Sequence, residues 1–210
     1  MGSYSRGGFY SERVFPWIMD RSDTPELRDE RRRAVSEASG RVLEIGVGTG
    51  ANLPLYGAAV RSVTAVEPSA GMNRRSARNR EDASVQVRLI AGSAERLPFR
   101  DGSFDTAVAV LVLCTIPDAA AALEELRRVL ASGGRLLFLE HVRAPDNGVE
   151  RWQRRLQPLW GRLACGCHLA RDTEDRIADA GFGIEAIERF WLPRVPRLLG
   201  RMIRGRAVAG

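Results

Sequence analysis

The fold of this chain is decided by residues 42–52, which read VLEIGVGTGAN. Leu43 and Ile45 suit a buried strand. Three glycines follow at alternate positions, namely Gly46, Gly48 and Gly50. Glycines let the backbone turn sharply and approach a ligand that a side chain would push away. The stretch therefore predicts a strand that ends in a nucleotide-cofactor loop, with Asn52 as its last cofactor-binding residue.

The glycines alone do not identify the cofactor, because residues 46–51 also satisfy the looser dinucleotide pattern of nicotinamide and flavin enzymes. Glu44, two residues before the first glycine, favours another ligand. A carboxylate at this position would repel a pyrophosphate, whereas S-adenosylmethionine offers a sulfonium and an ammonium group that a carboxylate attracts. We therefore predict S-adenosylmethionine.

A second acidic residue, Glu67, closes the next strand candidate and is followed by Pro68. A carboxylate at the tip of the second strand can accept hydrogen bonds from both ribose hydroxyls of either cofactor. A solvated glutamate at a strand end is the alternative. Met72 lies in the helix expected over 70–80, and we predict that it contacts the adenine or fills a gap in the core.

Two further segments make a family recognisable: residues 91–99 read AGSAERLPF, and residues 101–113 read DGSFDTAVAVLVL. Their order after the glycine loop resembles the class I S-adenosylmethionine-dependent methyltransferases of the ubiquinone-biosynthesis type, over about residues 41–142. The resemblance implies an α/β fold, with a doubly wound, mostly parallel, seven-stranded Rossmann-like sheet. It also implies S-adenosyl-L-methionine as cofactor and S-adenosyl-L-homocysteine as product.

The resemblance assigns the adenine site as well. In that family a Gly-Asp-Ala turn brackets the adenine, and the acid bonds its exocyclic amine. This chain has Ser93 where the aspartate is usual, followed by Ala94 and Glu95. We therefore expect adenine binding to depend more on Ala94 and Glu95, and we count Leu111 among the cofactor-binding residues.

A narrower resemblance runs through the second half of the chain. It is carried by LCTI at 113–116, EHV at 140–142, WQ at 152–153, PLW at 158–160 and GCHLAR at 166–171. These segments are similar to animal methyltransferase-like proteins that methylate alkyl thiols and, more loosely, to bacterial phospholipid N-methyltransferases. Both groups act on apolar acceptors, and the resemblance implies that the acceptor binds within about residues 114–200 without naming the substrate. Our leading hypothesis is a small, apolar acceptor, with a thiol favoured over a hydroxyl or an amine. A peripheral phospholipid N-methyltransferase and a non-enzymatic cofactor-binding module remain alternatives.

The chemistry needs few catalytic groups. Methyl transfer is an in-line displacement at a carbon that the sulfonium already activates, so the protein chiefly positions the acceptor and excludes water. His141, at the end of the fifth strand candidate, is the candidate base, and a histidine that only hydrogen-bonds a lid is the alternative. Cys165, Cys167 and His168 are too few for a zinc site without the distant Cys114 or His141, so we predict no metal.

Length and composition set further limits. The 210 residues suffice for one methyltransferase domain, in which we distinguish an N-terminal cover (1–39), a cofactor-binding core (40–143) and an acceptor-side part with the C-terminal strands (144–210). Three cysteines and the lack of a long apolar run predict a cytoplasmic location. All 32 basic residues are arginine, the net charge is +6, and acids alternate with the arginines. We predict no nucleic-acid partner and leave the oligomeric state open.

Two segments combine apolar residues with arginine. Residues 151–163 place four apolar side chains at helical spacing: Trp152, Leu156, Leu159 and Leu163. We expect this helix, kinked at Pro158, to pack as a lid over the acceptor, while transient contact with an anionic membrane surface is the alternative.

A second set of apolar side chains precedes a helix that starts at Thr24: Tyr4, Phe9, Tyr10, Phe15, Trp17 and Met19. It predicts a cover over cofactor and acceptor, or simple docking of this segment.

The apolar pattern predicts strands over 41–46, 60–67, 85–91, 104–113, 134–142, 183–191 and 202–208. Helices are expected near 51–57, 70–80, 118–131 and 171–180. Asp118 should cap the third of these helices, and Gly133-Gly134 should end it. Strands and helices that alternate in this way predict a right-handed, doubly wound parallel sheet.

Overall fold

The computed structural model describes residues 8–210, in which seven strands form one sheet. The strands are β1 (Gly40–Ile45), β2 (Val60–Val66), β3 (Gln86–Ile90), β4 (Phe104–Val110), β5 (Leu130–His141), β6 (Phe182–Trp191) and β7 (Arg201–Ala209). Their order across the sheet is β3-β2-β1-β4-β5-β7-β6. Strands β1 to β5 run parallel, and β7 lies antiparallel between β5 and β6. This mostly parallel, doubly wound sheet confirms the predicted fold class.

Helices connect the strands and cover the sheet. They are α1 (Phe15–Ser22), α2 (Pro25–Val35), α3 (Ala70–Arg75), α4 (Ala77–Glu81), α5 (Ala119–Val129), α6 (Asn147–Leu163), α7 (Thr173–Asp179) and α8 (Arg197–Gly200). Two side chains cap helices, at the helix start expected at Thr24 and at the cap predicted at Asp118. The Thr24 hydroxyl accepts from the Leu27 N–H at 3.3 Å, and the Asp118 carboxylate accepts from the Ala121 N–H at 3.0 Å.

Apolar side chains fill the space on both faces of the sheet. On one face α5 and α7 bury Leu123, Leu126 and Ile177. On the other face α2 buries Val35, and Leu53 joins it from the loop after β1. Each such side chain contributes about 1.5–3 kcal/mol when fully buried. Because both faces are covered, the edge at the carboxyl ends of the parallel strands is where such a sheet binds ligands.

Four predicted boundaries are wrong, and each has a local cause. The helix near 51–57 is only a 3-10 turn, Leu53–Leu55, because Pro54 has no N–H to donate. The helix over 70–80 breaks at Ser76, whose hydroxyl donates to the Asn73 carbonyl. Strand β4 ends at Val110, not at 113, since Leu111 takes a left-handed conformation with φ 55°.

The fourth error concerns the end of α5. The helix ends at Val129, before the two glycines that were expected to stop it, because Leu130 is extended and pairs with Phe104 of β4. The register then shifts, so that Thr106 pairs with Arg135. Gly133 (φ 71°) and Gly134 lie in this irregular stretch of β5 instead of at the helix end.

The N-terminal segment docks on α3. A short π-helical segment, Tyr10–Val14, leads into α1 and packs on α3. A Cβ on Gly71 would lie 2.3 Å from the Glu12 carbonyl oxygen, so the two backbones touch there. Glu12 also pairs with Arg74 at 3.3 Å. Tyr4, assigned above to the cover, lies outside the described residues, and the division of the chain into three parts remains a prediction.

Candidate active site

The glycine loop presses against the turn that follows β4. Gly46 has φ +59°, and a Cβ there would lie 2.1 Å from Val112 Cγ2, so a larger residue would be strained and would collide. Gly48 has φ +56° but faces open space, with the Gly46 carbonyl oxygen at 3.8 Å as the nearest neighbour of its Cβ position. Close packing therefore explains Gly46, whereas Gly48 offers the open backbone surface that a ligand needs.

The structure joins Glu67 to this loop, as the sequence predicts for two strand ends at one edge. Its carboxylate accepts from the Gly48 N–H at 3.0 Å and from the Ser69 N–H at 2.9 Å. Burial raises the pKa of Glu67, against the two backbone donors, which lower it. Pro68, beside it, is exposed. Glu67 thus holds the loop in place and presents a largely desolvated acid at the expected ribose position.

The predicted adenine turn lies next to Glu67. The Gly92 N–H donates to the Glu67 carbonyl at 3.4 Å. The Ser93 hydroxyl donates to the Glu95 carboxylate at 2.8 Å, and that carboxylate also accepts from the Asp118 N–H at 2.9 Å. Ala94 and, on α3, Met72 are buried. The turn is therefore tied to the start of α5, and the contact of these residues with adenine stays a prediction.

Glu44 and Asn52 lie in a buried network beneath the loop. The Glu44 carboxylate, 1% exposed, accepts from Asn52 Nδ2 at 2.8 Å and from the Tyr56 hydroxyl at 2.7 Å. Arg31 of α2 donates to Asn52 Oδ1 at 3.1 Å. Burial raises the pKa of Glu44 to about 7, although the bonds from Tyr56 and Asn52 and the charge of Arg31 lower it. The bonds that the structure shows are internal, so the ion pair between Glu44 and the cofactor stays a prediction.

The turn after β4 is held by a residue that the sequence analysis did not select. Glu140, in β5, is fully buried, and its carboxylate accepts from three consecutive N–H groups: Val112 at 2.9 Å, Leu113 at 2.8 Å and Cys114 at 3.2 Å. The Leu111 N–H donates to the Leu139 carbonyl at 2.7 Å. An acid at the end of the apolar run LLFL was the signal for Glu140, because buried carboxylates need donors.

A buried arginine holds the same turn from the other side. The Arg171 guanidinium donates to the carbonyls of Leu113 and Ile116, the latter at 2.7 Å. Arg171 is 8% exposed, and Glu140, the other clamp, is fully buried. Residues 112–116 are therefore fixed by a carboxylate on their N–H groups and a guanidinium on their carbonyls. The position of Arg171 at the end of GCHLAR marked it only through the family resemblance.

Three side chains from distant parts of the chain meet beside this turn. The ligand atoms of Cys114, His141 and Cys167 all lie within 4.8 Å of one another. Cys167 Sγ is 2.8 Å from His141 Nε2 and 3.7 Å from Cys114 Sγ. The expectation of no metal assumed that Cys114 and His141 lie far from Cys167, and that assumption is wrong.

Protons are shared unequally within this cluster. The hydrogen bond with Cys114 lowers the pKa of the Cys167 thiol, although burial opposes the change. The same bond, together with burial, raises the pKa of Cys114 well above its ordinary value. Burial lowers the pKa of His141, but the charge of Cys114 and its hydrogen bond outweigh burial and raise the pKa to about 9. The thiol whose pKa is lowered, that of Cys167, is the one that lies 2.8 Å from His141 Nε2.

Helix α6 forms as predicted, with Pro158 inside it, but its apolar side chains do not pack as a lid. Trp152, Leu159 and Leu163 are 55%, 58% and 51% exposed. The buried contact is polar instead: Gln153 accepts from the Ala144 N–H at 3.0 Å and donates to the Leu198 carbonyl at 3.1 Å.

Among residues 8–210, no helix combines the length and the hydropathy that a membrane span requires.

Comparisons with known proteins agree with this geometry. A family model described as a methyltransferase domain matches residues 43–138. Thiol S-methyltransferase TMT1B of Homo sapiens is 33% identical over an alignment 210 positions long. That alignment covers 90% of this chain and 86% of that protein. Phosphatidylethanolamine N-methyltransferase of Cereibacter sphaeroides is 35% identical over 145 residues, which cover 67% of this chain and 70% of that protein.

A solved structure supports the fold alone. A SAM-dependent methyltransferase of Thermotoga maritima aligns with a TM-score of 0.69 and 23% identity, covering 96% of this chain and 98% of that one. The overall fold is thus shared with a protein of low sequence identity. Together with the human relative, which matches over most of the chain, these findings establish the family. The chain belongs to the class I S-adenosylmethionine-dependent methyltransferases, and it is an enzyme that uses S-adenosylmethionine as its methyl donor.

Proposed function

We propose that this enzyme methylates a thiol on a small, apolar acceptor, with a hydroxyl or an amine as the less favoured acceptor group. The observation that carries the proposal is the extent of similarity to the human thiol S-methyltransferase, 33% identity over 90% of this chain. Only about a tenth of the chain falls outside that match. Most of residues 144–210, where we expect acceptor specificity to reside, is therefore included.

The contacts around the loop support the proposed cofactor site. Gly48 and Glu67 are bonded to each other, and the turn at Gly92 lies beside them. When bound there, S-adenosylmethionine supplies a methyl carbon activated by a sulfonium. The residues that we propose to contact it are Glu44, Gly46, Gly48, Gly50, Asn52, Glu67, Pro68, Met72, Ser93, Ala94, Glu95 and Leu111.

On the acceptor side, residues 112–116 lie against the glycine loop through Val112 and Gly46. Glu140 and Arg171 fix this turn, so it offers a rigid wall against which an acceptor can be aligned for in-line displacement. His141 is the proposed base, at the end of β5. The role of these residues is to orient the acceptor and to move a proton, since the methyl carbon needs no further activation.

The contacts of the N-terminal segment support a role as a cover that excludes water. Besides its contacts with α3, it reaches α6, because the Tyr10 hydroxyl donates to the Leu163 carbonyl at 2.6 Å. The segment around Tyr10–Val14 thus links the helix that follows the ribose-binding strand with the helix of the acceptor side. We propose that it closes over both ligands, which would keep water away from the reacting atoms.

A methyl-transfer screen tests the proposal. Labelled S-adenosylmethionine is offered with an alkyl thiol, a phenol, a catechol or phosphatidylethanolamine vesicles, and S-adenosylhomocysteine is measured. We expect turnover with the alkyl thiol in the absence of vesicles. The matched control is Glu67→Ala, which should lose turnover at low cofactor concentration while remaining folded by circular dichroism. Turnover confined to the phenol, the catechol or the vesicles would overturn the thiol assignment.

A specific observation supports phospholipid N-methylation as the second candidate. The exposed apolar side chains of α6, Trp152, Leu159 and Leu163, lie on a helix that also carries Arg154 and Arg155. An apolar face flanked by arginine suits the surface of an anionic membrane. The Cereibacter sphaeroides relative, named a phosphatidylethanolamine N-methyltransferase, is consistent with this reading.

Vesicle sedimentation tests the second candidate. The protein should pellet with anionic vesicles at low salt, and the pair Arg154→Gln with Arg155→Gln should release it. The matched control pair is Arg78→Gln with Arg80→Gln, two exposed arginines near α4 on another part of the surface. Equal release by both pairs, or no pelleting of the unmodified protein, would remove this candidate.

We also propose a cytoplasmic location, which is supported by the three cysteines, all of them free. The absence of a nucleic-acid partner stays a prediction from the alternation of arginines with acids. Fractionation of cells that express the full chain would test the location, and recovery in a secreted fraction would contradict it.

A further inference from the structure

The cluster of Cys114, His141 and Cys167 has the donor set of a metal site. Two thiols and one imidazole are the ligands that Zn²⁺ and other thiophilic ions prefer, and hard ions such as Mg²⁺ do not use them. The three residues come from different places: the turn after β4, the end of β5 and the loop after α6. Their ligand atoms nevertheless lie within 4.8 Å of one another.

The spacing of the two sulfurs suits a shared ion better than a bond between them. Cys114 Sγ and Cys167 Sγ are 3.7 Å apart. Two thiolates on a tetrahedral Zn²⁺, each about 2.3 Å from the ion, would be about 3.8 Å apart. A disulfide would need about 2.05 Å. The His141 Nε2 to Cys167 Sγ distance of 2.8 Å is shorter than the about 3.5 Å expected around such an ion, so the imidazole would move outward by under about 1 Å.

The surrounding backbone fixes the donors in place. Besides the Glu140 bond to its N–H, Cys114 accepts at its carbonyl from the His168 N–H at 2.8 Å. Gln157 of α6 donates to the Cys167 carbonyl at 2.9 Å. His141 Nε2 faces the thiols, so its lone pair is available to an ion in the tautomer that carries the proton on Nδ1, which is buried and has no partner among the described residues. A preformed donor set of this kind lowers the cost of binding an ion.

We propose that Cys114, His141 and Cys167 bind one thiophilic metal ion, Zn²⁺ in the first place, and leave its fourth coordination position open. Three protein ligands with one open position are typical of catalytic zinc sites, whereas structural sites are closed by four. The site lies at the carboxyl ends of β4 and β5, the edge that also carries the glycine loop. His141, the one partly exposed member, marks the side from which a fourth ligand would enter.

The open position extends the proposed thiol methylation, on which this step depends. It replaces the base role of His141, because a histidine whose Nε2 binds the ion has no free lone pair to accept the proton of the acceptor. The acceptor thiol binds the ion there, its proton passes to solvent, and the ion stabilises the thiolate. A sulfur lone pair then forms the bond to the methyl carbon while the bond from that carbon to the sulfonium breaks. Neutral S-adenosylhomocysteine leaves with its electron pair, and the oxidation state of the ion does not change. The thioether product is a weak ligand and dissociates, because thiolates, not thioethers, are the preferred sulfur ligands of Zn²⁺.

Cobalt provides a direct readout of the site. Reduced, metal-stripped protein is titrated with Co²⁺, and the absorption that thiolate-bound tetrahedral cobalt produces is recorded. Zn²⁺ is then added in competition, and bound zinc is quantified by mass spectrometry. We expect one equivalent of Co²⁺ with a thiolate charge-transfer band, displaced by one equivalent of Zn²⁺. This measurement on the unmodified protein needs no variant and no catalytic activity.

Variants assign the ligands. Cys114→Ser and Cys167→Ser should each weaken Zn²⁺ binding by more than about a hundredfold, since the loss of one of three ligands costs more than the loss of an outer-shell partner. Cys165→Ser is the matched control, because Cys165 is the remaining free cysteine and lies outside the cluster. Circular dichroism confirms that each variant is folded. Absence of stoichiometric Co²⁺ binding, or equal binding by all three variants, would overturn the site.

Methyl transfer to the alkyl thiol is measured on the same preparations, with and without one equivalent of Zn²⁺. Turnover that rises at least tenfold with zinc in the unmodified protein and in Cys165→Ser, but not in Cys114→Ser, supports the role of the ion. Equal turnover with and without bound zinc overturns that role. Stoichiometric zinc binding without turnover of any thiol would contradict the proposed function and leave the metal site standing, so the two failures are distinguishable.

Discussion

Replacing Glu44 with glutamine should change how the stability of this protein depends on pH. The carboxylate is buried beneath the glycine loop, and burial raises its pKa from the ordinary 4.5 to about 7. The folded state therefore holds a proton between these two values that the unfolded state has released. The contribution of Glu44 to the unfolding free energy is fully present below about pH 4.5 and is lost as the pH rises through about 7.

The magnitude follows from the same two values. The interval from 4.5 to about 7 corresponds to about 3 kcal/mol of unfolding free energy, because one pKa unit is worth about 1.4 kcal/mol. Glutamine cannot ionise, and its oxygen can still accept from Asn52 or Tyr56. Between pH 4.5 and 8, the stability of Glu44→Gln relative to the unmodified protein should therefore increase by about 3 kcal/mol.

Urea denaturation at a series of pH values measures this difference, with tryptophan fluorescence as the signal. The slope of the unfolding free energy against urea concentration checks that unfolding is two-state. All other titrating groups are common to both proteins, so their effects largely cancel in the difference. Glu81→Gln, at an exposed position, serves as the control. A difference between Glu44→Gln and the unmodified protein that stays constant from pH 4.5 to 8 would refute the reasoning.

The same experiment with saturating S-adenosylmethionine tests whether Glu44 meets the cofactor. An ammonium group close to the carboxylate would favour its charged form and lower its pKa. The pH-dependent difference between the two proteins should then shrink. An unchanged difference would mean that Glu44 acts only through the internal network with Asn52 and Tyr56, and the predicted ion pair would be wrong.

Three further changes test the site. Glu67→Ala should weaken S-adenosylmethionine binding by about 1–3 kcal/mol in calorimetry, as expected for lost charge-assisted hydrogen bonds. Glu81→Ala is the control and should bind normally. Unchanged affinity in Glu67→Ala would count against the ribose role. Gly46→Ala should lower the unfolding free energy by about 2–4 kcal/mol, from the left-handed backbone and the collision with the turn after β4. Gly57→Ala, which has open space around it, is its control in urea denaturation, and equal midpoints would contradict the packing argument. Arg171→Gln should reduce thiol turnover at least about tenfold, while the affinity for the cofactor should change less than about twofold. Equal losses of turnover and of cofactor affinity would show that Arg171 does not act on the acceptor side.

The cofactor half of the molecule was predictable because its signals are local. The run around Leu43 and Ile45 predicts β1, and the glycines directly after it predict the loop. Glu67 could be expected near that loop because parallel strands end at the same edge of a sheet, but its bond to the Gly48 N–H is shown only by the structure. The helix predicted after the loop failed at Pro54, where a missing N–H outweighed an otherwise helical pattern.

The acceptor half was harder to predict because its contacts join distant residues. Cys114 and Cys167 are 53 positions apart, and no spacing motif links them to His141. The clamp on Cys114 depends on the buried Glu140, which only the structure shows to face three N–H groups. On α6 the helical spacing of Trp152 and Leu159 was correct, but the pattern could not show that this face points away from the protein.

The position of β7 in the sheet sets an order of assembly. It pairs with β5 on one side and β6 on the other, yet residues 201–209 are synthesised after both strands. Until β7 inserts, β5 has an unpaired edge, and Met202, the partner of His141 in the register, is missing. The glycine loop and Glu67 contact β1 to β4 and the turns that follow them, all of which precede β7 in the chain. A nascent chain could therefore form its proposed cofactor site before its proposed acceptor site, and stalling before residue 201 would expose a strand edge prone to aggregation.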